Sequence, residues 1–194
     1  LMYGENIKVD QAMLEKALPE MVRHYDKTGD EHYNTSSAFI KSMRGSDVNA
    51  TLHYLARMID GGESVDFIAR RIMIAAAEEV GLADPQAIVV ATACAQAVHM
   101  VGFPESRIIL SQAACYVALA PKDNRPYKAI EAALHDVKTL DCGEIPNHLK
   151  DAHYAGAAKF GHGNDYKYPF DYPGNFVEQQ YLPDKIQDKK YYKQ

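Results

Sequence analysis

Residues 84–104 read DPQAIVVATACAQAVHMVGFP, and this stretch decides the fold class. Asp84 followed by Pro85 is the order of residues that caps and opens an α-helix. Gly102 and Pro104 are residues that typically end one. Between these signals the chain is apolar except for one narrow polar stripe at helical spacing, formed by Thr92, Gln96 and His99. The pattern predicts a helix that is covered over most of its circumference.

The apolar run inside this helix, from Ala87 to Val101, is about 15 residues long, whereas a membrane span needs about 20. The N-terminus also lacks the charged-then-apolar layout of a signal peptide. We therefore expect a soluble, cytoplasmic protein that makes no membrane contact and buries this helix.

The same start and stop signals divide the neighbouring sequence into five further helices. Moving outward, we predict helices from Asp30 to Arg44, from Asp47 to the glycines at 61–62, from Ser64 to near Gly81, from Pro104–Glu105 to Pro121, and from Pro126 to about Thr139. Their connectors are short, so successive helices should pack as antiparallel neighbours. No run of alternating apolar and polar residues predicts a strand before residue 160. The predicted fold class is therefore all-α.

The last of these helices has an ordinary amphipathic pattern. The residues that we expect it to turn inward are Ile130, Ala133, Leu134 and Val137. The third, fourth and fifth helices carry apolar faces that are wide for a single domain, which leaves two explanations: a thick core, or burial against other subunits. For the second explanation, the candidate oligomer-interface residues are Ile72, Ile74, Ile88, Val89, Ile109 and Tyr116.

Composition places the chain among ordinary globular domains. It has 194 residues, of which 47% are hydrophobic and 24% charged, and its formal net charge is −5. A chain of this length can bury roughly 70% of its unfolded surface. The weak acidity gives the whole domain no electrostatic footprint for sequence-independent DNA binding.

The sequence offers no assembled catalytic or cofactor motif. The phosphate-cradling pattern GxxxxGK[ST], the dinucleotide pattern GxGxxG and the hydrolase patterns GxSxG and HExxH are all absent. Cys94 and Cys115 lie in apolar helices, where burial makes a thiol inert, and Cys142 has no orienting group beyond a nearby His148. Three sparse cysteines indicate a reducing compartment rather than a disulfide framework.

A histidine-rich stretch is the one candidate metal site. It contains His148, His153 and His162, with Asp151 between the first two. Their spacings match no compact ligand pattern, so we interpret these residues as solvated polar groups. We therefore predict no catalytic, cofactor-binding or metal-binding residue in this chain.

Basic residues at helix ends suggest a contact with phosphate groups or with a protein partner. The candidates are Lys41, Arg44, Lys122 and Arg125. Arg70 follows Asp66 by four residues, the favourable order for an ion pair within a helix, so it is assigned a structural role. The alternative for the four candidates is a solvated charged face.

Residues 161–194 differ in composition from the helices. They contain eight aromatic residues, among which Tyr166, Tyr168, Phe170 and Tyr172 alternate, and three prolines that forbid a long helix. The pattern predicts an extended tail that covers the helices or a neighbouring subunit. The competing hypothesis is a platform for stacking single-stranded nucleic acid, but the tail's five lysines are balanced by five acidic residues.

Several segments, taken together, resemble a known protein family. They are YDKTGD at 25–30, SAFIKSMRGSD at 37–47, FIARR at 67–71, EEVGLADPQA at 78–87, YVALAPKDN at 116–124 and DYPGNFVEQQYLP at 171–183. In this order they resemble the C-terminal region of the bacterial replication-associated recombination protein A family (RarA, also called MgsA). The Werner-helicase-interacting AAA+ protein is its eukaryotic relative.

The resemblance implies a helical array similar to the clamp-loader collar, in a parent ATPase that acts at stalled replication forks. It implies a homotetramer, with DNA and single-stranded-DNA-binding protein as partners of the parent. ATP and Mg²⁺ are expected only in an N-terminal ATPase region, so this chain is not expected to be an enzyme by itself. Residues 1–22 are expected to end the ATPase lid, residues 23–160 to form the collar-like oligomerisation domain, and residues 161–194 to form the tail.

The chain departs from the family pattern at two places. Residues 153–159 read HYAGAAK where the family usually has a proline-threonine-lysine-leucine-methionine run, and Gly156 lowers helix propensity by up to about 1 kcal/mol. Asp123 replaces the usual serine of the APKSN motif, which makes a phosphate contact less favourable at that loop. An alternative function is therefore kept: a DNA- or protein-recruiting module that uses the basic helix ends and the aromatic tail.

Overall fold

The computed structural model of the chain describes residues 30–153 and 161–193. The predicted lid segment, residues 1–22, and nearly all of the divergent 153–159 segment lie outside the described residues. The chain divides into two compact units, one that ends at Asn124 and one that begins at Arg125. The first contains helices α1 (Asp30–Arg44), α2 (Val48–Asp60), α3 (Val65–Ala75), α4 (Gln86–Val101) and α5 (Ser106–Leu119), and the second contains α6 (Arg125–Thr139).

No strand occurs within the two described ranges, which confirms the all-α prediction. None of the helices in these ranges is long and apolar enough to cross a membrane.

Two of the predicted helix starts are confirmed by capping hydrogen bonds. The side chain of Asp47 accepts a hydrogen bond from the backbone N–H of Ala50 at 2.9 Å. The Ser64 hydroxyl accepts one from Phe67 at 3.2 Å. Each bond satisfies a backbone donor that a helix leaves without a partner in its first turn, and this fixes where α2 and α3 begin.

The third helix reaches Gly81, as predicted, but its last turn is not α-helical. Residues Ala76–Val80 form a π-helical turn that follows α3 directly. Gly81 then adopts a φ of 51°, a left-handed conformation that glycine accepts without strain. The wider turn carries the adjacent acids Glu78 and Glu79, and π turns occur frequently at functional sites.

All five described helices of the first unit contribute to its hydrophobic core. Its largest fully buried side chains include Phe39, Met43, Met58, Ile68, Ile72, Leu110 and Val117. Helix α4 contributes only small or branched residues at helical spacing, namely Ala87, Ala91, Cys94 and Val98. This single buried stripe lets α4 approach its neighbours closely while most of its circumference stays outside the core.

Among the described residues of the second unit, four short 3₁₀ turns follow α6. They lie at Asn147–Leu149, Pro169–Asp171, Pro173–Asn175 and Asp184–Ile186, and a proline begins or precedes each of them. The end of the chain contacts α6 through Asp136. Its carboxylate accepts hydrogen bonds from Tyr191 Oη at 3.0 Å and Lys189 Nζ at 2.8 Å.

The predicted orientation of α6 is wrong. Ile130 and Val137, which were expected to face inward, are 54% and 69% exposed, and Leu134 is also exposed. The buried residue of this helix is instead Asp136. The reason is that the chain end packs on the polar side of α6, and no other long helix occurs among the described residues of this unit to cover the apolar stripe.

Candidate interaction surfaces

The outer face of α4 is the largest departure from an ordinary surface helix in the first unit. Ile88, Val89, Met100 and Val101 are all exposed, and Val89 exposes 57% of its surface. The predicted polar stripe of Thr92, Gln96 and His99 is exposed as well. Apolar residues on both sides of a thin polar stripe are typical of a surface that another macromolecule covers.

Four of the six predicted interface residues are exposed. Ile74 at the end of α3, Ile88 and Val89 on α4, and Tyr116 on α5 are exposed, and Ile109 is partly buried. The prediction that Ile72 lies in an oligomer interface is wrong, because its side chain is fully buried in the core of its own chain. It has no surface to offer to another subunit.

A hydrogen bond between Asp84 and Tyr116 joins the start of α4 to the last turn of α5. The Tyr116 hydroxyl donates to Oδ2 of Asp84 at 2.8 Å, and Oδ1 of the same carboxylate accepts from the N–H of Gln86 at 3.0 Å. The bond to Asp84 raises the pKa of Tyr116. Leu82 lies two residues before Asp84, and Leu119 lies three residues after Tyr116. Both leucines are exposed. The bond therefore holds an apolar patch at one end of α4.

A groove of about 720 Å³ opens between α2 and the first turns of α5. Its lining is mostly apolar, with a few charged groups, and includes Leu52, Ala56, Ile59, Asp60, Arg107 and Ile108. Sequence analysis missed this groove because its two walls lie about fifty residues apart in the chain, and neither wall has a motif of its own.

Arg44, a predicted phosphate contact, is engaged inside the first unit. Its guanidinium lies against Glu79, with Nε and Nη2 at 2.7 and 2.6 Å from the same oxygen, and 3.4 Å from Glu78. Glu79 is only 4% exposed, so loss of Arg44 would leave a nearly buried carboxylate without its ion-pair partner. Arg44 therefore has a structural role in joining α1 to the π-helical turn.

Lys122, another predicted phosphate contact, has all of its hydrogen-bond donors occupied within the first unit. Its ammonium group donates to the carbonyl oxygens of Val117, Ala118 and Ala120, at 3.0, 2.9 and 2.5 Å. Three bonds use all three N–H donors of an ammonium group, so none remains for a phosphate. Burial lowers the pKa of Lys122, and the charge of Glu79 opposes that effect. The residue caps the C-terminus of α5, where a positive charge is favourable.

The other basic candidates have different surroundings. Lys41 is exposed on α1. The Arg125 guanidinium lies over the ring of Tyr192, 5.5 Å from its centre.

Arg70 does not pair with Asp66 as the sequence spacing predicted. Asp66 instead lies 3.1 Å from the ring of His99, while Arg70 lies over the ring of Phe67.

The candidate nucleophile and metal residues are not assembled into a site. Burial raises the pKa of the Cys94 thiol to about 11, in agreement with the prediction that this cysteine is unreactive. His148 uses its Nε2 to contact the carbonyl oxygen of Gln180 at 2.7 Å. Within residues 30–153 and 161–193, no three side chains of the metal-binding types come together.

A second concave feature lies in the second unit, between α6 and the chain end. This cleft of about 650 Å³ is lined mainly by basic residues: Arg125, Lys128, His135, Lys189, Lys190 and Lys193, with Asp136 and Tyr191. We refer to it as the basic cleft. Sequence analysis missed it because the tail as a whole has balanced charges, and only the packing of its end on α6 gathers the lysines.

Comparisons with known proteins agree with the helical fold. Residues 45–194 match the family model described as MgsA AAA+ ATPase C terminal, and residues 2–44 match the one described as AAA C-terminal domain. The chain is 50% identical over 179 residues to replication-associated recombination protein A of Bacillus subtilis, covering 92% of this chain and 42% of that protein.

Two further relatives extend the comparison. An AAA domain-containing protein of Mycobacterium tuberculosis is 47% identical over 190 residues, covering 98% of this chain and 42% of the relative. The ATPase WRNIP1 of Dictyostelium discoideum is 38% identical over 170 residues, covering 87% of this chain and 19% of the relative. The chain thus spans about two fifths of the length of these two bacterial relatives. It belongs to the MgsA AAA+ ATPase C-terminal family.

Proposed function

We propose that this chain is the non-catalytic C-terminal oligomerisation domain of an AAA+ ATPase of the replication-associated recombination protein A type. The observation that carries the proposal is the exposed apolar outer face of α4. A helix that buries one stripe of small residues and exposes Ile88 and Val89 gains stability when another subunit covers it. Membership of the family supplies the context of a AAA+ ATPase.

In this proposal the interface comprises Ile74, Ile88, Val89 and Tyr116, with Ile109 at its edge. Interface centres are rich in aromatic and apolar side chains and poor in charged ones, which this set matches. A stable interface removes about 800 Å² from each partner, so α4 needs further surface. The exposed aromatic residues of the tail are suited to add it, namely Tyr166, Tyr168, Phe170, Tyr172, Phe176 and Tyr181.

The proposed parent is a cytoplasmic homotetramer that acts in DNA replication, recombination and the rescue of stalled forks. Its ATPase region binds ATP and Mg²⁺. The parent has DNA and single-stranded-DNA-binding protein as partners. Within this chain we assign residues 1–22 to the end of the ATPase lid, residues 23–160 to the collar-like domain and residues 161–194 to the tail. The names of the relatives and the two family matches support the context of an AAA+ ATPase.

Sedimentation of the 194-residue chain tests the proposal. At tens of micromolar we expect an assembly of about four chains. Val89→Lys should reduce its mass, because a charge in the centre of an apolar interface has to be desolvated. Val137→Lys is a matched control, since it places the same charge at another exposed valine, on α6.

A strict monomer at this concentration contradicts the oligomerisation function. If the two lysine variants lower the mass equally, the interface is not centred on α4.

A further inference from the structure

Arg44 connects the two parts of the chain that match different family models. It is the last residue of α1 and of the segment 2–44, which matches the AAA C-terminal domain. Its partners Glu78 and Glu79 belong to the segment 45–194, which matches the MgsA C-terminal model. A movement at the end of α1 therefore acts directly on the π-helical turn that carries these two acids.

The π-helical turn offers Arg44 two carboxylates at adjacent positions. Nη2 of Arg44 lies 2.6 Å from Oε1 of Glu79 and 3.4 Å from Oε1 of Glu78. The Glu79 side chain is nearly buried, whereas that of Glu78 is partly exposed. A π-turn contains one residue more than an α-turn, and adjacent helical residues lie about 100° apart around the axis. Conversion to an α-turn therefore brings Glu78 to the place of Glu79, opposite Arg44.

The same turn leads directly into α4. Gly81 follows it with a φ of 51°, and Asp84 comes five positions after Glu79. The carboxylate of Asp84 accepts hydrogen bonds from the N–H of Gln86 and from the hydroxyl of Tyr116. A shift of the turn by one residue therefore displaces the group that positions both the first turn of α4 and Tyr116.

Glu79 also contacts the segment that follows α5. Its backbone carbonyl accepts a hydrogen bond from the N–H of Asp123 at 2.8 Å. The turn is thus bonded to the end of α1 through a side chain and to the loop after α5 through the backbone. Both helices that carry the interface residues, α4 and α5, are positioned from this turn.

We propose that the π-helical turn is a two-position element that couples the end of α1 to the assembly surface on α4 and α5. In the observed position, Arg44 holds Glu79 and the turn keeps its extra residue. In the second position the turn is α-helical, Glu78 faces Arg44, and the start of α4 is rotated. The inference rests on the proposed oligomerisation function, because it assigns a regulation to the same surface.

Hydrogen exchange of the full 194-residue chain tests this coupling and does not require assembly. Arg44→Gln takes the charged partner from both acids, so amides 77–90 should exchange about tenfold faster, a typical size for coupling between sites. Glu78→Gln removes only the second partner of Arg44. It should slow the exchange of amides 77–84 about threefold, because the second position loses its ion pair. A purely structural contact between Arg44 and Glu79 predicts no such slowing.

Arg57→Gln is the matched control. Arg57 also lies in the last turn of its helix, is about as exposed as Arg44 and pairs with a carboxylate, but that carboxylate belongs to Glu31 in α1 rather than to the turn. The control should leave the exchange of amides 77–90 unchanged. Arg44→Lys keeps the positive charge and should recover most of the protection that Arg44→Gln loses. Circular dichroism checks that every variant is folded.

Sedimentation of the same variants measures the effect on assembly. Arg44→Gln should weaken association about tenfold, and Arg57→Gln should weaken it less than about threefold. The inference is overturned if Glu78→Gln does not slow exchange, or if Arg44→Gln and Arg57→Gln have equal effects on either readout. A wild-type chain that stays monomeric contradicts the oligomerisation function, whereas the exchange of amides 77–90 still decides whether Arg44 is coupled to α4.

Discussion

The guanidinium of Arg44 holds the nearly buried carboxylate of Glu79 through two nitrogens, Nε at 2.7 Å and Nη2 at 2.6 Å from the same oxygen. These residues are 35 positions apart, and their contact fixes α1 against the π-helical turn after α3. The backbone carbonyl of Glu79 also accepts a hydrogen bond from the N–H of Asp123 at 2.8 Å. One residue of the turn thus links α1 to the loop after α5.

Arg44→Met should destabilise the chain, because it leaves the nearly buried carboxylate of Glu79 without its ion-pair partner. We expect the free energy of unfolding to fall by about 1–2 kcal/mol, since Arg44 is half exposed and water screens part of the interaction. Urea unfolding measures the change. Lys41→Met on the same helix is the control, with an expected change within about 0.5 kcal/mol.

A double-mutant cycle with Glu79→Gln separates this pair from its surroundings. If the two single changes add without coupling, the pair does not stabilise the fold.

Lys122→Met should loosen the end of α5, because three carbonyl oxygens lose their donor at once. The expected loss is about 1–2 kcal/mol of unfolding free energy. Hydrogen exchange of residues 117–123 should report faster opening at this helix end than elsewhere in the first unit. Lys128→Met removes an exposed lysine of the second unit and should leave both quantities unchanged.

The contact between the chain end and α6 should depend on acid pH. Asp136 has a lowered pKa in the folded chain, so it binds a proton less readily there than in the unfolded chain. Its stabilising contribution is therefore complete above the ordinary value of 3.8 and is lost as the pH falls through the lowered pKa.

Ring resonances of Tyr191, followed by NMR from pH 6 to pH 2, should move from the packed to the free position in this range. Asp136→Asn should show the free position at every pH. A titration of Tyr191 that is the same in wild type and variant would show that Asp136 does not hold the chain end.

Cysteine labelling should distinguish the thiol of Cys94 from that of Cys142. With a pKa of about 11, only about a thousandth of Cys94 is thiolate at pH 8, and the residue is buried as well. Maleimide should therefore modify Cys142, which is only partly buried, at least tenfold faster than Cys94 in the native chain. Mass spectrometry of the digested protein gives both rates, and equal rates would contradict the buried position of Cys94.

A larger side chain should lower the free energy of unfolding on the buried face of α4 but not on its exposed face. Ala91 is fully buried and Ala93 is exposed, so Ala91→Leu adds atoms to a filled core while Ala93→Leu adds them to solvent. We expect Ala91→Leu to cost about 1–3 kcal/mol of unfolding free energy. Thermal unfolding should show little change for Ala93→Leu at low protein concentration.

The helix boundaries could be predicted because their signals are local. Asp47 and Ser64 lie within three residues of the backbone donors that they cap, so a short window of sequence contains both partners. The π-helical turn could not be predicted in this way. It accompanies the pairing of Glu79 with Arg44, and a contact over 35 residues leaves no local pattern.

The candidate surfaces were predictable only in part. The excess of apolar residues on α4 is visible in the sequence, whereas the burial of Ile72 depends on which face of α3 its neighbours cover. The orientation of α6 was predicted wrongly because Asp136 is buried by contacts with Lys189 and Tyr191, which lie more than fifty residues later in the chain. Hydrophobic periodicity cannot register a polar residue that is buried by such distant partners.

The small residues along the buried side of α4 have a consequence for how this family can diversify. Ala87, Ala91 and Cys94 hold the helix by close approach of its backbone, without large side chains that interlock with those of neighbouring helices. The position of the helix axis then depends little on what the opposite side carries. Substitutions at Ile88 or Val89 therefore change the exposed surface of α4 while the buried stripe beneath them keeps its packing.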